Sequence, residues 1–218
     1  EAWLDECFGE LLAKLEELGE REETLIVFLS DNGWSTALAA KGTAREKGVR
    51  SPLVISLPGK ARAPLSLDAL VSLTDVHATV LDYAGLGPEP GGRGHSLRPL
   101  LEGRPHAGRK RLYGSVFTHS TRVGEEGKVC ALYARDERWK YVLYVRDVDS
   151  AQLSADAHLT LPFQRRAGAQ ELFDLGVDPL EEHDLSERAE QAERLRALRA
   201  AAIAWWCESG GTALELPE

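Results

Sequence analysis

Residues 24–58 read TLIVFLSDNGWSTALAAKGTAREKGVRSPLVISLP, and the rest of the chain is organised around them. An apolar run over 25–29 ends abruptly in Ser30-Asp31-Asn32-Gly33. A second apolar run, 49–57, follows a polar, glycine-containing loop that carries Lys41. A continuous apolar run without alternation suits a strand buried on both faces of a parallel sheet. In open α/β sheets, ligands bind beyond the carboxyl ends of the strands. Asp31 and Asn32 therefore stand where such a fold puts its chemistry. They offer one carboxylate and one amide oxygen, the hard donors that Ca²⁺ or Mg²⁺ takes. Lys41 adds a cation suited to an oxyanion. Plainer readings stand beside these. Asn-Gly is a hairpin-turn signal, although the next apolar run lies beyond hairpin reach. On spacing alone, Lys41 is a solvated loop lysine.

A chain of 218 residues permits one large domain or two small ones. At 43% hydrophobic residues it can build a core, which argues against disorder. A formal net charge of −9 argues against a nucleic-acid partner, whose binder should be basic. The sequence has no Met and starts at Glu1, so it is expected to be processed or the trailing part of something longer. Residues 1–18 lack a signal-peptide pattern. No stretch approaches the roughly 18 apolar residues of a membrane span. Cys7, Cys130 and Cys207 form no C-x-x-C pair. Three free thiols, each at least partly buried, are the expectation.

Along the chain, Leu4, Phe8, Leu11, Leu12, Leu15 and Leu18 have helical spacing, and Gly19 is a natural stop. Pro52 marks the start of the second strand, where a missing N–H is tolerable. Ser72 or Thr74 can cap a helix to Tyr83 that Gly85 closes, with Val76, Val80, Leu81 and Tyr83 on its buried face and His77 as a structural histidine. Ser96 opens a short helical turn, and His95 carries no assigned role. After a basic loop over 105–111, short runs at 112–117, 129–134 and 139–145 read as an antiparallel sheet, with 171–175 a further strand. Ser186 is expected to cap a last helix whose buried stripe is Leu195, Leu198, Ala202 and Trp205. The path of 147–166 is not readable. His119, at a predicted strand end, reads as a surface histidine.

SDNG, a following Lys, GVRSPLVISLPG, SLTDVHATVLDYAGL, GHSLRPLLEG, ERWKYVLY and ELFDLGVDPLEEHDL occur in this order. The ordered set resembles the second half of the sulfatase family, in the alkaline-phosphatase-like superfamily. The resemblance covers nearly the whole chain. It implies an α/β fold: part of an alkaline-phosphatase-like parallel sheet, then a small antiparallel sheet packed with a C-terminal helix. Residues 1–104 would be the C-terminal part of the catalytic α/β domain and 111–218 the C-terminal α+β subdomain.

The resemblance further implies hydrolysis of a sulfate ester substrate by a formylglycine nucleophile and a divalent cation, Ca²⁺ or else Mg²⁺. Asp31 and Asn32 match the family's second pair of metal ligands, and Lys41 matches a lysine that contacts the sulfate. Glu46 and Arg50 match as loop-fixing residues, through an ion pair or backbone contacts, and Lys47 falls at a variable position. No Cys or Ser of this chain lies in a C/S-x-P/A-x-R motif, and the first Asp pair belongs to the family's other half. The chain alone is expected to hydrolyse nothing, and to be poorly soluble with a sheet face uncovered. Two alternatives remain: a non-catalytic truncated module or pseudoenzyme, or a phosphate or phosphonate ester hydrolase of the same superfamily. Asp31-Asn32 leans toward the sulfatases, since phosphate-specific relatives commonly use Asp-His there. Family members are often periplasmic, extracellular or lysosomal; this sequence gives no address and no oligomeric state.

Overall fold

The computed structural model describes residues 2–33, 42–62, 66–106, 108–117, 128–149, 164–214 and 216. The chain divides into two units, Glu1–Leu29 with Leu53–Arg109, and Ser30–Pro52 with Lys110–Glu218. Lys41, His119 and most of the 147–166 stretch lie outside the described residues.

In the first unit, helix α1 (Ala2–Glu17) ends where Gly19 turns left-handed at φ 72°. Its apolar stripe meets strand β1 (Ile26–Leu29) through Phe8 on Phe28, ring centroids 5.4 Å apart. No residue of α1 is buried, and Leu4, Leu11 and Leu18 are exposed. The strand that follows Pro52, β2 (Leu53–Ser56), is short and pairs with β1 antiparallel from Ile26↔Ser56 to Leu29↔Leu53. Among the described residues, then, β1 has an antiparallel neighbour, and it is half-buried rather than buried on both faces. The pairing follows from the connection. The chain leaves and re-enters at the same end of the ladder, which the Ser30 N–H to Pro52 O bond (3.4 Å) marks. A parallel neighbour would need a crossover.

Helix α3 spans Thr74–Tyr83, and Gly85 closes it at φ 72°. Its first turn is held from Asp75, whose carboxylate accepts the Ser72 N–H at 2.8 Å. The buried positions are Asp75 and Thr79, not Val76 and Val80. Polar partners select that face. Asp75 accepts the His95 N–H (2.8 Å) and pairs with Arg109, and Thr79 Oγ1 accepts the Leu97 N–H (2.9 Å). Burial alone would raise the Asp75 pKa. Arg109 and the two backbone N–H groups outweigh it, and hold the carboxyl below the usual aspartate range. His77 is exposed, 3.4 Å from Glu89. The turn after Ser96 forms helix α4 (Arg98–Leu101), with the Arg98 N–H on Ser96 Oγ at 3.2 Å.

In the second unit, the one-turn helix α2 (Glu46–Val49) precedes Pro52, so residues 46–49 are helical. Strands β3 (Leu112–Phe117), β4 (Val129–Arg135), β5 (Trp139–Tyr144) and β8 (Gln170–Asp174) form an antiparallel sheet in the order β3-β4-β5-β8. The short strands β6 (Val148–Asp149) and β7 (Gln164–Arg165) pair beside it in the sequence. Helix α5 (Ala192–Glu208) packs Leu198, Ala202 and Trp206 on one sheet face. That face carries Leu132 and Leu143 in one row and Ala134, Tyr141 and Leu172 in the next. The sheet-and-helix expectation is met here. Ser186 does not cap α5, which starts only at Ala192 after a 3₁₀ turn; Ser186 instead bonds Asp184. Cys7 is half-buried and Cys130 buried, but Cys207 is exposed, contrary to expectation, because it lies on the helix face away from the sheet. Among the described residues, no helix is long and apolar enough to cross a membrane.

Candidate functional site

Asp31 and Asn32 follow the carboxyl end of β1 after one residue, Ser30. Asp31 is exposed, and its Oδ1 accepts a long bond from Ser30 Oγ at 3.4 Å. Asn32 is half-buried, and no described residue engages its side chain. Gly33 then passes hard against α2. Its N–H donates to the Gly48 carbonyl at 3.1 Å, and a Cβ on Gly33 would overlap the carbonyl oxygen of Lys47. Only glycine fits that approach. The Asn-Gly pair thus works as a docking point rather than the middle of a two-residue hairpin. The donor set suits a hard divalent cation. Two oxygens from adjacent residues, with no strong hydrogen bond among the described residues, are donors of the kind a hard cation's six- to eight-oxygen shell takes.

Lys41, the third residue expected at this site, lies outside the described residues. The loop that carries it resumes at Gly42 and is anchored at 44–50. Ala44 is buried among Cys130, Ala131, Val142, Tyr144 and Val148. Arg45 donates to the Glu181 carbonyl at 2.8 Å and to Glu171 Oε1 at 2.9 Å, with its guanidinium 4.3 Å above the Phe173 ring. Glu46 is buried and accepts Lys140 Nζ at 2.8 Å and Arg135 Nε at 3.2 Å. Burial pushes the Glu46 carboxyl up, but Lys140 and Arg135 outweigh it and hold the group below its ordinary value. Glu46 therefore does fix the loop through an ion pair. Arg50 is exposed and contributes a backbone bond, its N–H to Glu46 O at 2.8 Å.

The charged residues that receive this loop were not singled out by the sequence pattern. Lys140 sits in the otherwise apolar β5, Glu171 sits beside Leu172 and Phe173 in β8, and Glu181 takes a left-handed backbone at φ 58°. The available signal was a charge at an inward position of an alternating strand, which is costly unless paired. A different trio, Asp178, Glu182 and His183, brings its ligand atoms within 4.8 Å of one another. The Asp178 carboxylate is already occupied by the backbone N–H groups of Glu182 and His183, at 3.0 and 2.9 Å, so the trio is a turn.

A family model described as Sulfatase matches residues 2–86. The N-acetylglucosamine-6-O-sulfatase of Bacteroides thetaiotaomicron is 28% identical over 202 residues, which cover 89% of this chain and 32% of the relative. A solved structure of a protein in complex with its substrate D-glucosamine-2-N,6-O-disulfate superposes with a TM-score of 0.66 at 24% identity, over 93% of this chain and 38% of its own. A phosphonate monoester hydrolase from Silicibacter pomeroyi superposes with a TM-score of 0.69 at 21% identity, over 92% and 38%. These likenesses between structures establish the fold. The chain spans about a third of the length of the curated relatives it matches, at 32%, 38% and 29% of the first three.

Proposed function

We propose that the chain belongs to the sulfatase family of the alkaline-phosphatase-like superfamily and is part of a sulfuric ester hydrolase, to which Asp31 and Asn32 give two oxygen ligands for a divalent cation. The observation that carries this reading is the pair's position. Both residues follow β1 after Ser30, and Gly33 pins them to α2 while their oxygens have no strong partner among the described residues. Residues 1–104 would belong to the catalytic α/β domain and 111–218 to the C-terminal subdomain. Asp31 and Asn32 would hold Ca²⁺, whose chemistry is to neutralise charge on the sulfate oxygens. Lys41 would add a second positive charge at the same oxyanion. The nucleophile expected for the family, a formylglycine, has no motif in these 218 residues.

The 218-residue chain by itself is therefore expected to be inactive. Assay of the purified chain on an aryl sulfate with saturating Ca²⁺ should give no turnover, and metal-dependent turnover free of contaminating enzyme would overturn the reading. In a longer, active protein that contains this chain, Asp31→Ala should abolish turnover and Asn32→Ala should raise the Ca²⁺ requirement. The superposed phosphonate monoester hydrolase keeps a second substrate class in view, because one fold hosts several chemistries. Comparing an aryl sulfate with an aryl phosphonate monoester decides between them; a preference for the phosphonate would replace the sulfate reading while leaving the cation site intact.

A further inference from the structure

The two faces of the β3-β4-β5-β8 sheet are covered by different chemistry. One carries apolar rows under α5. The other carries Tyr133, Val142 and Glu171 in one cross-strand row and Arg135, Lys140 and Phe173 in the next. Lys140 has no exposed surface. Its Nζ lies 2.8 Å from Glu46 Oε1, 3.7 Å from Glu181 Oε1 and 5.1 Å from the Tyr133 ring centre. Glu181 Oε2 in turn accepts the backbone N–H of Glu46 at 2.6 Å, while its own carbonyl accepts Arg45. Glu181 does this from a left-handed backbone, and its other oxygen, Oε1, is buried without a hydrogen-bond partner among the described residues.

This arrangement is poor as a stability device. Buried ion pairs often stabilise no better than well-packed apolar residues of the same volume, and an unmet buried oxygen and a left-handed glutamate add further cost. What paired charges add is a fixed geometry. Arg45 and Glu46 are gripped through guanidinium, carboxylate and backbone N–H together, so the first residues of α2 have one register and one orientation. The far end of the same helical turn receives Gly33 on the Gly48 carbonyl, with the Lys47 carbonyl against its Cα. A single turn of helix is too short to bend, so α2 passes the constraint from the clamp to the peptide that follows Asn32.

We propose that Glu46, Lys140 and Glu181 are positioning residues for the Asp31–Asn32 pair, acting through α2. The proposal rests on reading that pair as cation ligands, and adds which distant side chains set their backbone.

Amide hydrogen exchange on the 218-residue chain tests it, comparing the Gly33 amide with the ladder amides of β5. Lys140→Met removes the charge at similar length. Glu181→Gln keeps an oxygen for the Glu46 N–H but removes the charge opposite Lys140. Gly33 exchange should speed up by about tenfold or more in Lys140→Met and by a smaller factor in Glu181→Gln, with β5 exchange unchanged in at least the milder variant. Unchanged Gly33 exchange in both variants would overturn the proposal. So would acceleration of Gly33 and β5 by one common factor in both, which would mean a merely structural role; should Lys140→Met not fold, Glu181→Gln decides alone. The readout needs no turnover. Loss of the sulfatase reading would appear instead as full activity of Asp31→Ala in the longer protein, with Gly33 exchange unaffected.

Discussion

In β5, Tyr141, Val142 and Leu143 have no exposed surface, whereas in β1 no residue is buried and Leu29 is 40% exposed. Both strands read as apolar runs, and their neighbours make the difference. β5 has a strand on each side, α5 over one face and Ala44 with the charged cluster on the other. β1 has the short β2 on one edge and α1 on one face, and Val54 of β2 is 58% exposed. Burial is thus a property of layers. A two-stranded ladder is marginal by itself, and a sheet covered on both faces is not. Between α1 and the β1-β2 pair remains an open, mainly apolar cavity of about 500 Å³ lined by Leu4, Phe8, Leu12, Ile26, Phe28 and Val54.

The largest test of this contrast is a matched pair of truncations. Leu198, 2% exposed, projects from α5 into the apolar core of the sheet, and Leu11 on α1 is 64% exposed. Leu198→Ala should cost about 2–5 kcal/mol through lost transfer energy and the cavity left behind. Leu11→Ala should fall within about 0.5 kcal/mol of the parent chain. Denaturant titration of both variants checks the pair, and a cost for Leu11→Ala comparable to that for Leu198→Ala would mean that α1 is covered in solution.

A smaller effect separates the units by pH. Asp75 is 1% exposed in the first unit, and its pKa is depressed in the fold. A depressed carboxyl contributes stability above its unfolded pKa of about 3.9 and loses it as pH falls through the folded value. Glu181 in the second unit is shifted the opposite way, because burial raises it against the pull of Lys140. Its contribution is present below the unfolded pKa of about 4.3 and is lost as pH rises through the folded value. Asp75→Asn should therefore cost about 1.5–3 kcal/mol at neutral pH, the range for hydrogen bonds to charged groups, with the deficit shrinking below pH ~4. Melting curves of parent and variant between neutral and acid pH check this, and a deficit that persists unchanged in acid would remove Asp75 from the account.

The position of Asp31 and Asn32 was legible because a local pattern, an apolar run cut off by SDNG, places them at a strand end. The direction of β1's neighbour was not, since strand pairing is not encoded in either strand alone. The α3 face illustrates a second limit. Val76 and Val80 share the i,i+4 spacing of Asp75 and Thr79, and what buried the polar pair was His95, Leu97 and Arg109, far along the chain. Glu46 was readable as a loop-fixing residue only through resemblance. Its partner Lys140 lies 94 positions away, and no windowed pattern carries that distance. Ser186 followed a sound capping rule, but Asp184 took both its N–H and its hydroxyl.

The smallest effect concerns thiols and leaves stability untouched. Cys130 is the extra residue where the β3-β4 register shifts from Val116↔Ala131 to Phe117↔Val129, and it is 1% exposed. Burial pushes its pKa up to about 11, and its Sγ lies 3.1 Å from the Val116 carbonyl. The thiolate is the reacting species, so at pH 8 only about one Cys130 in a thousand is reactive, even before access is considered. Cys207 is exposed on α5. Brief alkylation with iodoacetamide at pH 8, read by peptide mass, should label Cys207 and spare Cys130. Labelling of Cys130 at a rate comparable to Cys207 would mean that the β3-β4 ladder opens in the native chain, and that the closed unit is less closed than its packing implies.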